Sequence, residues 1–137
     1  MSGAASGADD AIEVVVALIE DDRGRVLVNQ RRPGTHMAGF WEFPGGKRGR
    51  GEGRRESLGR ELLEELGIRL LEAQPLMKFS HDYPGRRVRL DVWRVQRYEG
   101  EPTPCEEQSI RWCYPRELLA QGLLPADRPI VEALLVR

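Results

Sequence analysis

The stretch "GGKRGRGEGRRESLGRELLEELGI", Gly45 to Ile68, decides how the rest of the chain is read. Its second half has helical periodicity from about residue 54 to 66. At 100° per residue, Leu58, Leu62, Leu63 and Leu66 share one broad apolar face. Gly59 falls within that face, where a glycine costs about 0.5–1 kcal/mol relative to alanine, so close backbone packing is expected there. Gly67 ends the helix. With Glu61 as origin, Glu64 lies about 60° to one side and Glu65 about 40° to the other, and the leucine face is taken to lie opposite. Ser57, one turn earlier, is small enough to leave space. Carboxylates at this spacing repel, at a few tenths of a kcal/mol per pair. They are either an acidic solvated face or an oxygen-rich site for a hard divalent cation, Mg²⁺ or Mn²⁺. The first half of the stretch is a loop. Gly45 and Gly46 let backbone approach a ligand, Lys47 and Arg48, Arg50, Arg54 and Arg55 carry charge suited to phosphates, and Glu52 can pair with Arg60 to pin the loop.

The remainder of the 137 residues fits one domain over 11–137, behind a disordered lead-in at 1–10. That lead-in, "MSGAASGADD", has neither the basic flank nor the apolar core of a signal peptide. A formal net charge of −1 argues against a partner that is a nucleic-acid polymer. No apolar run approaches the roughly 18 residues that span a bilayer, so no membrane partner is expected. Cys105 and Cys113 read as free thiols in a reducing cytoplasm, and with only His36 and His81 available a zinc site is disfavoured.

Strand signals outnumber helical ones. "IEVVVALIE" (12–20) and "RVLVNQRR" (25–32) flank the turn "DDRG" and predict a hairpin. "FWEF" (40–43) is a short strand stopped by "PGG". "LLEAQPLMKFSHDY" (70–83), interrupted by Pro75, and "VRLDVWRVQRY" (88–98) follow, the latter with Val88, Leu90, Val92 and Val95 inward. "SIRWCY" (109–114) is a strand, Pro115 begins a short helix, and a last helix over about 128–136 turns Ile130, Val131, Leu134 and Leu135 inward. The expected class is α+β, a mixed sheet flanked by helices. Trp41, Trp93 and Trp112 read as sheet packing, His36 and His81 as structural or exposed, and Tyr83 as a residue that can border a pocket.

The opening stretch resembles a known signature. Gly46, five residues, Glu52, seven residues, Arg60-Glu61-Leu62, one residue, Glu64-Glu65, one residue, Gly67-Ile68 looks like the complete Nudix box. The resemblance implies a Nudix fold, an α/β/α sandwich, and hydrolysis of nucleoside diphosphates linked to another group. It implies that Glu61, Glu64, Glu65 and the carbonyl of Gly46 bind Mg²⁺ or Mn²⁺, with Arg60 orienting the acids and Glu52 bracing the loop. From about 13 to 135 the chain also resembles the MutT branch, in "QRRPGTHMAGFWEFPGGK" (30–47), "YPGRRVRLDVWRVQRYEGEP" (83–102) and "LLPADRPIVEAL" (123–134). That branch hydrolyses 8-oxo-dGTP to the monophosphate and pyrophosphate, with water attacking the β-phosphorus, as nucleotide-pool sanitation.

Carried over residue by residue, Arg32, Lys47 and Arg86 contact the nucleotide and Phe43 encloses the base. The loop after Arg32 is one residue shorter than in that branch. Asp127 stands where the branch has an asparagine that bonds the oxidised purine. An ionised carboxylate accepts only, so Asp127 donates to O6 only when protonated. Glu106, rather than its neighbour Glu107, aligns with a loop carboxylate that completes the metal site and helps activate the water. The implied catalytic set is therefore Arg60, Glu61, Glu64, Glu65 and Glu106, acting on a nucleotide in a monomer or weak dimer. The competing expectations are another substrate, such as another modified nucleotide or ADP-ribose, and a silent module that only binds.

Overall fold

A computed structural model describes residues 11–136; the lead-in expected at 1–10 lies outside the described residues. In chain order it contains β1 (Ile12–Leu18), β2 (Val26–Gln30), β3 (Trp41–Glu42), β4 (Gly45–Lys47), α1 (Arg54–Leu66), β5 (Arg69–Tyr83), β6 (Arg86–Glu99), β7 (Ile110–Cys113), α2 (Pro115–Leu118), a 3-10 turn (Pro125–Asp127) and α3 (Arg128–Leu135). One sheet runs β4-β1-β6-β5, with β1 and β6 parallel and the other pairs antiparallel; a second runs β3-β2-β7.

The apolar run of β1 is explained by burial on both faces. Val16 and Leu18 join one core with Val28, Leu90, Val92, Ile130 and Val131, on the side of α3. Val15, Ala17 and Ile19 join the other with Leu27, Leu58, Leu62 and Leu66, on the side of α1. Helices thus cover both faces of the strands, which gives the α/β/α layering.

Several expectations need correction. The predicted β1–β2 hairpin exists only at its turn, where Glu20 bridges Val26 and Leu27 N–H donates to Ile19 carbonyl at 3.1 Å. Beyond it the two strands part into different sheets, because β1 takes β4 and β6 as partners and β2 takes β3 and β7. The short strand does stop before Pro44, as expected, but Gly45–Lys47 then form a strand of their own, β4, on β1. Gly45, at φ 148°, lies so close to β1 that a Cβ there would sit 2.0 Å from Val15 carbonyl oxygen, so this glycine serves strand pairing rather than ligand approach. Leu63 and Leu135 are 58% and 46% exposed, not inward. On the wheel Leu63 lies about 60° beyond the arc of Leu58, Leu62 and Leu66. A Cβ on Gly59 would meet Leu70 at an ordinary 3.9 Å, so close packing does not account for that glycine.

Candidate active site

Helix α1 and the turn before it build an acidic face. Gly53 opens the helix, its N–H donating to Glu56 Oε1 at 3.1 Å. Arg60 reaches back to Glu52, with Nε donating to Oε2 at 2.6 Å and Nη2 to Oε1 at 2.9 Å. The buried Ser57 hydroxyl donates to Glu52 Oε1 at 2.7 Å, and Gly49 N–H donates to the same oxygen at 2.9 Å. These bonds, Arg60's foremost, hold the Glu52 carboxyl down to about 2 and raise the Arg60 guanidinium above its ordinary value. The same guanidinium turns its Nη1 to the trio, donating to Glu61 Oε2 at 2.9 Å and Glu64 Oε1 at 3.1 Å. The loop that looks unstructured in the sequence is thereby pinned to the helix.

The three acids differ. Glu64 is exposed. Glu61 is half-buried, and burial raises its carboxyl despite the bond from Arg60. Glu65 is 8% exposed, contrary to the expectation that the acids face away from the leucines. It lies only about 20° from Leu58 on the wheel, so it is carried into the interior with it. Burial first, and then the charges of Glu42, Glu61 and Glu106, push its carboxyl up to about 9, while a hydrogen bond from Gly45 N–H acts the other way. Its Oε1 is buried with no hydrogen-bond partner among the described residues.

These observations fit a hard divalent cation. An orphaned carboxylate oxygen with a raised affinity for positive charge wants a cation or a proton. Gly46 lies against the neighbouring Glu61, since a Cβ there would fall 2.3 Å from Glu61 Oε1, so a side chain at this position would push that carboxylate aside. Among the described residues no three acidic, histidine or cysteine side chains form a finished cation cage. Arg60 instead occupies Glu61 and Glu64.

Two cavities flank this face. One, of about 140 Å³, is lined by Glu65, Glu106, Arg32 and Gln108. Glu107 is not among its lining residues and adopts φ 62°, which turns the chain next to Glu106. Arg32 donates through Nη1 to Glu106 carbonyl at 3.2 Å, which puts it on the carboxylate side rather than beside Phe43. The other cavity, of about 170 Å³, is lined by Gly46, Lys47, Phe43, Tyr83, Arg86 and Asp127 among others. Asp127 is 3% exposed and accepts from Phe43 N–H through Oδ2 at 2.9 Å. Burial first, then the charge of Glu42, pushes its carboxyl up to about 8, against the Phe43 bond and Arg31. Tyr83 closes the same end, its hydroxyl accepting from Ala126 N–H at 2.9 Å. His36 is exposed at this cavity, its ring edge-on to Tyr83.

Sequence reasoning missed the wall between the cavities. Arg31 and Glu42 line both and pair through Nη1 and Oε1 at 3.0 Å. Burial raises the Glu42 carboxyl, with Arg31 opposing. The available signal was the acid inside the aromatic "FWEF", but β3 is two residues long, too short for alternation to reveal its facing. Asn29, opposite Glu42 in register, fixes it.

The architecture is a mixed sheet between helices, with a glycine loop pinned to a carboxylate helix beside a pocket. Comparison with known proteins supplies the family: the model described as NUDIX domain matches residues 15–133, and the chain belongs to the Nudix family as a Nudix hydrolase. It is 41% identical over 124 residues to the CTP pyrophosphohydrolase of Escherichia coli K12, covering 90% of this chain and 91% of that one. To the 8-oxo-dGTP diphosphatase of the same organism it is 33% identical over 123 residues, covering 90% and 95%. The solution structure of the E. coli ORF135 protein superposes with a TM-score of 0.81 at 40% identity, over 95% of this chain and 92% of that one.

Proposed function

We propose that the chain is a Mg²⁺-dependent nucleoside triphosphate pyrophosphohydrolase, with 8-oxo-dGTP as substrate and 8-oxo-dGMP and pyrophosphate as products. The observation that carries the base assignment is Asp127, buried at the Phe43 cavity with its carboxyl raised to about 8. At neutral pH such an acid is mostly protonated and offers both an O–H donor and a carbonyl acceptor, as an amide does. It can donate to O6 of an 8-oxopurine and accept from its N7–H. The asparagine expected from the resemblance is thus matched in hydrogen-bonding capacity.

Mg²⁺, or Mn²⁺, would be held by Glu61, Glu64, Glu65, Glu106 and the Gly46 carbonyl, and supplies charge neutralisation for the triphosphate and acidification of a water. The protein's own groups do the rest. Lys47 and Arg86, which line the same cavity as Phe43, would hold phosphates by their positive charge. Arg60 keeps Glu61 and Glu64 oriented. Glu61, whose burial raises its carboxyl, and Glu106 are the groups that can take a proton from the attacking water.

A second reading, a cytidine triphosphate substrate, is favoured by the 41% identity to a protein named CTP pyrophosphohydrolase. A protonated Asp127 also suits it, donating to N3 and accepting from the N4 amino group of cytosine. Steady-state kinetics with 8-oxo-dGTP, dGTP, CTP, dCTP and ADP-ribose separates the readings. Preference for 8-oxo-dGTP over dGTP below tenfold, about 1.4 kcal/mol, removes the sanitising role. A kcat/KM for CTP above that for 8-oxo-dGTP establishes the cytidine reading in its place.

A further inference from the structure

The segment after β6 carries Glu106 on an exposed stretch with no regular structure, yet its backbone is held at several points. Thr103 N–H donates to Leu66 carbonyl at 2.9 Å and Cys105 N–H to Glu65 carbonyl at 3.1 Å, so the segment caps the last turn of α1. Gln108 completes the attachment. It is 7% exposed, and its two polar atoms are divided between the two site acids. Nε2 donates to Glu65 carbonyl at 3.0 Å, while Oε1 accepts from Glu106 N–H at 2.9 Å. Arg32 holds the next peptide, donating to Glu106 carbonyl. Both backbone groups of Glu106 are therefore occupied by side chains, and its carboxylate is left to the cavity that Glu65 also lines.

We propose that Gln108 is a positioning residue of the site: by bonding Glu65 carbonyl and Glu106 N–H at once, it sets where the Glu106 carboxylate stands relative to the carboxylate helix. Gln108 touches neither nucleotide nor phosphate. A neutral amide suits this place because it donates at one end and accepts at the other; a carboxylate would lack the donor for Glu65 carbonyl. The inference rests on the reading, given above, that Glu106 takes part in the metal-dependent reaction.

The test is a double-mutant cycle of Gln108→Met, which keeps length but removes both bonds, against Glu106→Gln. Each variant is measured for kcat, KM and Mn²⁺ affinity by electron paramagnetic resonance of the nucleotide-free protein. Gln108→Met is expected to lower kcat roughly tenfold and to weaken Mn²⁺ binding several-fold, in the range typical of residues that orient metal ligands. Nucleotide KM should stay within about twofold, and in the Glu106→Gln background the same change should add less than about twofold, since coupled residues are not additive. Independent, multiplying effects overturn the proposal, because Gln108 would then act through general packing. Wild-type kinetics for Gln108→Met overturn it too. If Glu106→Gln itself changes neither kcat nor Mn²⁺ affinity, the role of Glu106 falls, and the Gln108 inference falls with it. Gln108→Ala repeats the cycle with a gap instead of an apolar chain, so a folding defect peculiar to one variant leaves the outcome readable.

Discussion

At the scale of single residues, burial rather than sequence position sets what each acid can do. Asp127 and Glu65 both sit in the interior with raised carboxyls, and both are expected to shape the response to pH. For Asp127 the folded value of about 8 exceeds the ordinary 3.8, so the folded state keeps a proton that the unfolded chain releases. Stability from this group is present in full below the unfolded value and is lost as pH rises toward the folded one. Asp127→Asn carries no such proton and keeps an oxygen for Phe43 N–H. The gain in Tm of the variant over the wild type should therefore grow between pH 5 and pH 8, in matched thermal melts. A gain independent of pH would mean that Asp127 is ionised when folded. The residues of this site were unevenly legible. The spacing of Glu61, Glu64 and Glu65 left a solvated face and a cation site both open, and the glycine loop and the resemblance to the Nudix box decided between them. The burial of Glu65 was also in the wheel but was overlooked. The pairing of Arg31 with Glu42 was not readable, because it depends on how β2 and β3 register.

At the scale of elements, helices were read more fully than sheets. The bounds of α1 agree with those expected from periodicity, since helix bonds are local and the caps, Gly53 and Gly67, adjoin it, although Leu63 and Glu65 face otherwise than expected. Strand partners are chosen at long range, so alternation and turn residues point to a hairpin where β1 and β2 separate, and to a loop where β4 pairs. Gly59 offers a test of α1 itself. It stands in the helix interior, and an added Cβ would meet only Leu70 at 3.9 Å. Gly59→Ala should stabilise the protein by about 0.5–1 kcal/mol, chiefly by restricting the unfolded chain. The measurement is urea unfolding, with a higher midpoint, an unchanged slope and unchanged kcat expected. A lower midpoint would show that the helix is packed against Leu70 more tightly than this distance implies.

At the scale of the whole molecule, the pocket proposed for the nucleotide is assembled from parts far apart in the chain. Phe43 comes from the segment between β3 and β4, Arg86 from the start of β6, and Asp127 from the turn before α3. The long β5–β6 hairpin reaches the 3-10 turn through Tyr83, whose hydroxyl takes Ala126 N–H at 2.9 Å. That bond fixes the residue next to Asp127, so it couples the end of one sheet to the floor of the pocket. Tyr83→Phe keeps the ring, and with it the contacts to His36 and His81 at 4.8 and 4.5 Å between ring centres. It removes only the acceptor, at a cost of about 1 kcal/mol for a bond of this kind. If the turn then loosens, nucleotide KM should rise by up to about fivefold, the factor that about 1 kcal/mol represents. The carboxylate helix lies on the other side of the strands and is untouched by the change, so kcat at saturating nucleotide should hold. A fall in kcat with KM unaltered would instead place Tyr83 in the chemical step, and the division of labour between pocket and acidic face would have to be redrawn.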